Sequence, residues 1–156
     1  MKTNIVCVGK IKESYFKEGL EEYRKRLSRF NVELNVVEVS EYNIDSPKEK
    51  EIELIKTKET ERIIKAIKSG PIIALDKDGM MITSEDMAHI ISRQENTSSI
   101  INFIIGGSYG LDLKLLKPSL SISFGQVTYP HQLMRLILSE QIYRAYTIKN
   151  NITYHK

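Results

Sequence analysis

The sequence predicts an α/β domain whose mostly parallel sheet is flanked by helices. Three observations carry the prediction. Short apolar runs at 4–8, 32–39, 72–76, 100–105 and 120–124 have strand length and strand composition. Stretches with helical periodicity lie between most of them, so strand and helix alternate along the chain. No repeat, low-complexity tract or linker interrupts the 156 residues, which fit a single domain spanning 1–156.

Asn4 to Val8 reads as a buried strand ended by Gly9. Ser14 opens a helix whose apolar stripe is Phe16, Leu20, Tyr23, Leu27 and Phe30, with Glu21, Glu22, Arg24 and Lys25 on the solvated face. Val32 to Val39 is a valine-rich strand. Ser46 is placed to cap the next helix, with Pro47 in its first turn and Glu49 completing a capping box. That helix runs from Lys48 to Lys68, with Ile52, Ile55, Ile63, Ile64 and Ile67 as its apolar set, and Gly70 stops it. Ile72 to Asp76 is a strand closed by a Lys77-Asp78-Gly79 turn. Ser84 caps a helix carrying Met87, Ile90 and Ile91. Ile100 to Ile105 is the most hydrophobic strand. Leu111 to Leu116 forms a short helix before Pro118. Leu120, Ile122 and Phe124 alternate with serines, and Pro130 begins a final helix to about Ile148.

Composition narrows the function classes. With 41% hydrophobic and 28% charged residues the chain is globular rather than disordered. The single cysteine, Cys7, lies inside an apolar run and reads as a small buried hydrophobe. No apolar run reaches the roughly 20 residues of a membrane span. Gly9, Lys10 and Lys12 break any signal-peptide layout. A cytoplasmic location is therefore expected, with no membrane partner. The net charge of +3 permits nucleic-acid binding without demanding it. His89, His131 and His155 lack ligand spacing with each other or with Cys7, so no metal is expected.

Ligands of a parallel α/β sheet bind beyond the carboxyl ends of the strands. Three such ends are unusual here: Leu75-Asp76-Lys77-Asp78-Gly79, Gly106-Gly107-Ser108-Tyr109-Gly110, and Phe124-Gly125-Gln126-Val127-Thr128-Tyr129-Pro130-His131. The glycine turn fits neither a Rossmann fingerprint nor a P-loop. It is a ligand-free tight turn or a nucleoside site. The third loop can wrap an adenine edge with main-chain groups, or be an ordinary strand-to-helix connection. On the final helix, Arg144 between Tyr143 and Tyr146 suits phosphate contact and base stacking, and equally an amphipathic surface. The tail Tyr154-His155-Lys156 carries an imidazole able to move a proton near neutral pH, or is a frayed end.

Together these motifs resemble the RlmH (YbeA-like) family of SPOUT methyltransferases. The matching elements are Val8-Gly9-Lys10, Leu75-Asp76 with Gly79, Phe103 to Ser108 with Gly110, Thr128-Tyr129-Pro130-His131 through Leu133 and Arg135, Glu140-Gln141 with Tyr143 to Tyr146, and Tyr154-His155. The resemblance implies a SPOUT fold with a C-terminal trefoil knot, a homodimer, and methylation of a pseudouridine N3 in large-subunit rRNA within the ribosome. It implies an S-adenosylmethionine site at Leu75, Gly106, Gly107, Phe124, Gly125, Gln126, Val127, Thr128 and Tyr129. His155, Arg144, Tyr154 and His131 are the implied catalytic residues, with the tail completing the partner's site. Two positions depart from the family pattern: Gly125 stands where a serine is expected, and Thr153 where a proline is. The alternatives are a SPOUT enzyme with another RNA target and a non-catalytic RNA-binding module.

Overall fold

A computed structural model describes residues 1–156. Five strands, β1 (Lys2–Val8), β2 (Glu33–Val39), β3 (Ile72–Met81), β4 (Ile100–Ile105) and β5 (Leu120–Ser123), form one sheet in the order β2-β1-β4-β3-β5. Every neighbouring pair is parallel. The helices are α1 (Ser14–Ser28), α2 (Glu49–Ala66), α3 (Ser84–Glu95), α4 (Leu113–Leu116) and α5 (His131–Lys149). No helix is long and apolar enough to cross a membrane.

The alternation of side chains along a strand sorts the core into two layers. Ile5 and Cys7 of β1, with Phe103 and Ile105 of β4, pack against Leu27 of α1, Met87 and Ile91 of α3, and Leu138 and Ile142 of α5. Val6, Val8 and Ile104 point the other way, onto Ile63 of α2 and Leu116 of α4. Central strands covered on both faces explain the unbroken apolar runs of the sequence. Register is marked by an asparagine row: Asn35 Nδ2 donates to Asn4 Oδ1, and Asn4 Nδ2 to Asn102 Oδ1.

The structure moves several expected boundaries. Ser46 sits at φ 44°, whereas a capping residue needs extended backbone, so α2 starts only at Glu49. Lys48 takes the cap position, and its N–H donates to Glu51 Oε1, not to Glu49. The helix ends at Ala66, short of Lys68. Gly70 serves a close passage instead of a cap, since a Cβ there would lie 2.6 Å from the Ile100 carbonyl oxygen. Lys77-Asp78-Gly79 is not a turn. It is an irregularity within β3, where Leu75 and Met80 both pair with Ile122 before the strand resumes. Gly79 allows this, because a Cβ would lie 2.8 Å from the backbone of Ser121. Thr83, not Ser84, caps α3: its Oγ1 accepts from Asp86 N–H, and its own N–H donates to Asp86 Oδ2. Asp112 starts α4 at Leu113, two residues later than expected, by accepting from Leu115 N–H.

Candidate active site

Because all strands run the same way, the ends of β3, β4 and β5 meet on one edge. Between them and the first turn of α5 lies a cavity of about 420 Å³. Leu75, Gly106, Gly107, Phe124, Gly125, Val127, Thr128 and Tyr129 line it, and His131 and Met134 close it from α5. Of the residues expected around the cofactor, Gln126 alone is off the wall. Its amide donates to the Lys77 carbonyl at 2.8 Å and so ties the β5 loop to the irregular part of β3.

Two kinds of glycine shape the walls. Gly110 (φ 88°) and Gly125 (φ 109°) have open space where a Cβ would go, so backbone angle is what favours glycine there. The backbone at position 125 thus suits glycine better than the serine expected from the resemblance. Ser123 Oγ fixes that loop by accepting from Gly125 N–H and donating to its carbonyl. At Gly107 the constraint is space: a Cβ would stand 2.6 Å from Glu59 Oε1. Helix α2 holds the glycine turn from behind. Thr57 Oγ1 donates to Asp112 Oδ2 (2.9 Å), and Asp112 N–H donates to Thr60 Oγ1 (3.0 Å).

Arg135 does not face solvent, as a charged residue on a helix ordinarily would. It is completely buried, donating to the carbonyls of Val8 (2.8 Å) and Gly9 (2.9 Å) and to Glu38 Oε2 (3.1 Å). It pins α5, one turn past His131, to the end of β1. Tyr146 is also core: burial pushes its phenol up to about 12, and its hydroxyl donates to Glu95. It is therefore no stacking platform.

The remaining implied catalytic residues gather elsewhere. Arg144 Nε (3.0 Å) and Nη2 (2.5 Å) both bond Glu140 Oε1, which also accepts from the Tyr154 hydroxyl at 3.1 Å. The Arg144 guanidinium lies 4.7 Å from the Tyr154 ring centre, and Tyr143 meets that ring edge-on. Burial, with the Glu140 carboxylate alongside, pushes the Tyr154 phenol up to about 12. His155 Nδ1 is 3.2 Å from Arg144 Nη1, and Nε2 is 2.8 Å from Glu85 Oε1. A guanidinium only donates, so Nδ1 accepts and the Nε2–H points at Glu85. The tail is thus docked, not frayed. However, Arg144 lies thirteen residues along α5 from His131, about 20 Å at roughly 1.5 Å per residue. Arg144, Tyr154 and His155 form no part of the cavity wall.

The glycine loops fold into one pocket at the carboxyl edge of the parallel sheet, where open α/β folds bind their ligands. Residues 1–155 match the family model described as "Predicted SPOUT methyltransferase", and the chain belongs to that family. Among its relatives, a protein of Carboxydothermus hydrogenoformans named "Ribosomal RNA large subunit methyltransferase H" is 49% identical over the full length of both chains. Identically named proteins of Fusobacterium nucleatum (47%, full length of both) and Caldicellulosiruptor saccharolyticus (44%, 97% of this chain and 98% of the relative) are similarly close.

Proposed function

We propose that this chain transfers a methyl group from S-adenosylmethionine to N3 of a pseudouridine in large-subunit rRNA, acting in the cytoplasm on the assembled ribosome. The rRNA substrate follows the names of its relatives. The cavity suits the cofactor in size. Its walls offer main-chain groups and apolar side chains for a nucleoside, without a phosphate cradle. When bound there, the cofactor supplies an electrophilic methyl group.

The observation that carries the reading is the separation of two half-sites along α5. The cavity is at the helix start, and Arg144, Tyr154 and His155 are near its end. A homodimer that sets the tail of one protomer against the cavity of the other would assemble the whole site, since a two-fold interface makes such contacts reciprocal.

In that site Arg144 holds a phosphate or a base carbonyl, backed by the Tyr154 ring. His155 takes the N3 proton as the new N–C bond forms, with Glu85 orienting the imidazole through Nε2–H. When Arg144 turns to the RNA it releases the Nδ1 lone pair it now occupies, so substrate contact frees the base. His131 lies on the cavity side of the reacting atoms.

The test is methyl incorporation into ribosomes from a strain lacking the activity, with mass mapping of the product. Incorporation at a pseudouridine N3 is expected, and His155→Ala is expected to lower the rate by about 10²-fold or more. A methyl group on another nucleotide would refute the substrate assignment, and full activity in His155→Ala would remove its role.

A further inference from the structure

Glu59 is the one carboxylate the proposed chemistry leaves unused that is nevertheless almost fully buried, at 4% exposure. It projects from α2 into the wall behind the glycine turn. Its Oε2 accepts from Tyr42 N–H at 3.1 Å, which ties down the chain after β2. Its Oε1 has no hydrogen-bond partner, although it lies only 2.6 Å from where a Cβ of Gly107 would stand. A buried acceptor left without a donor costs free energy, so such groups are rare and call for a reason.

The surroundings supply one. Glu59 lines a small cavity of about 40 Å³. Gly107, Ser108, Tyr109 and His131 line both this cavity and the large one, so the glycine turn and His131 are the partition between them. The turn carries its own spare donors: the N–H groups of Ser108 and Tyr109 bond no other main-chain group.

We propose that Glu59 is a positioning residue for the cofactor: its free oxygen accepts a hydrogen bond from the Ser108–Tyr109 turn once a nucleoside ligand seats against Gly107. In the free protein the oxygen is held ready at a cost to stability. In the liganded protein it fixes the turn. The inference rests on the methyltransferase reading and adds a residue to its ligand site.

Calorimetric titration with S-adenosylhomocysteine, paired with thermal melting of the ligand-free protein, separates positioning from simple support. In Glu59→Gln the amide oxygen can still accept from Tyr42 N–H, but an NH₂ replaces the free acceptor and the buried charge is gone. We expect it to melt at or above the wild-type temperature while binding the ligand about tenfold more weakly. Glu59→Asp keeps the charge but withdraws it from Gly107, and the same loss of affinity is expected should the Gln variant fail to fold. Wild-type affinity in either variant, or a parallel fall in melting temperature and affinity, would overturn the inference. A wild-type protein that binds no S-adenosylhomocysteine would overturn the methyltransferase reading itself, and this inference with it.

Discussion

Replacing Arg135 with methionine removes the pin between α5 and β1 while keeping much of the side-chain volume. Three hydrogen bonds are lost, to the carbonyls of Val8 and Gly9 and to Glu38 Oε2, the last of which keeps the Ile11 N–H at 2.8 Å. Breaking a buried ion pair from one side costs about 3–5 kcal/mol. The Glu38 side chain is 35% exposed and can recover water, so the lower end, about 3 kcal/mol, applies. For a domain of this size each kcal/mol moves the melting temperature by roughly 2–4 °C, giving a fall of about 6–12 °C. The assay is far-ultraviolet circular dichroism melting at fixed protein concentration, because self-association would otherwise shift the midpoint. Arg135→Lys keeps one cation but cannot span the two carbonyls and Glu38 as the planar fork does, so it should fall between the two. A shift below about 2 °C for the methionine variant would refute the reasoning and mean that the neighbouring carbonyls find other donors.

Cys7 is buried with its thiol pushed up to about 12, chiefly by that burial. It should resist a thiol reagent at neutral pH until the protein is unfolded, and rapid labelling of the native chain would contradict this. Thr83→Ala removes a side-chain cap from α3 and should cost about 1 kcal/mol, read as a fall of roughly 2–4 °C; no change would mean that Ser84 can take over. Burial raises the Glu59 carboxyl, with Glu41 adding to the shift and the Tyr42 N–H and Arg62 opposing it. A carboxyl raised by folding stabilises most below its unfolded value and loses that contribution as pH rises through the folded one. Wild-type stability should therefore fall relative to Glu59→Gln as pH rises from about 4 toward neutrality, and parallel pH profiles would count against it.

Element order was legible because the two core layers depend on simple periodicities. Ile5 and Cys7 against Val6 and Val8 is an alternation that any buried parallel strand writes into its sequence. The glycine loops were legible for the same reason, since strand ends on one edge must share a pocket. What misled was local punctuation. Lys77-Asp78-Gly79 has the composition of a turn, yet pairing with β5 carries the strand through it. Ser46 and Ser84 are good caps by type, but the backbone at Ser46 and the neighbour Thr83 decide otherwise. The burial of Arg135 and Glu59 is not legible in the sequence, because a charged residue at a helical position reads as solvent-facing. Only the packed structure places Val8 and Gly9 carbonyls at one and Gly107 at the other. The signal available for Arg135 was its position one turn after His131, inside the motif shared with the family.

The proposed pairing of the two half-sites across a dimer would have a genetic consequence. In a dimer that shares its sites, a chain damaged at the cavity and a chain damaged at His155 are each inactive alone. Mixed together they pair at random, and each hybrid holds one site with both faults and one with none. About half the dimers would be hybrids, so roughly a quarter of the sites would work again. Two dead alleles in one cell would restore part of the modification, while a single tail mutant expressed beside the normal gene would silence only the sites its own tail enters.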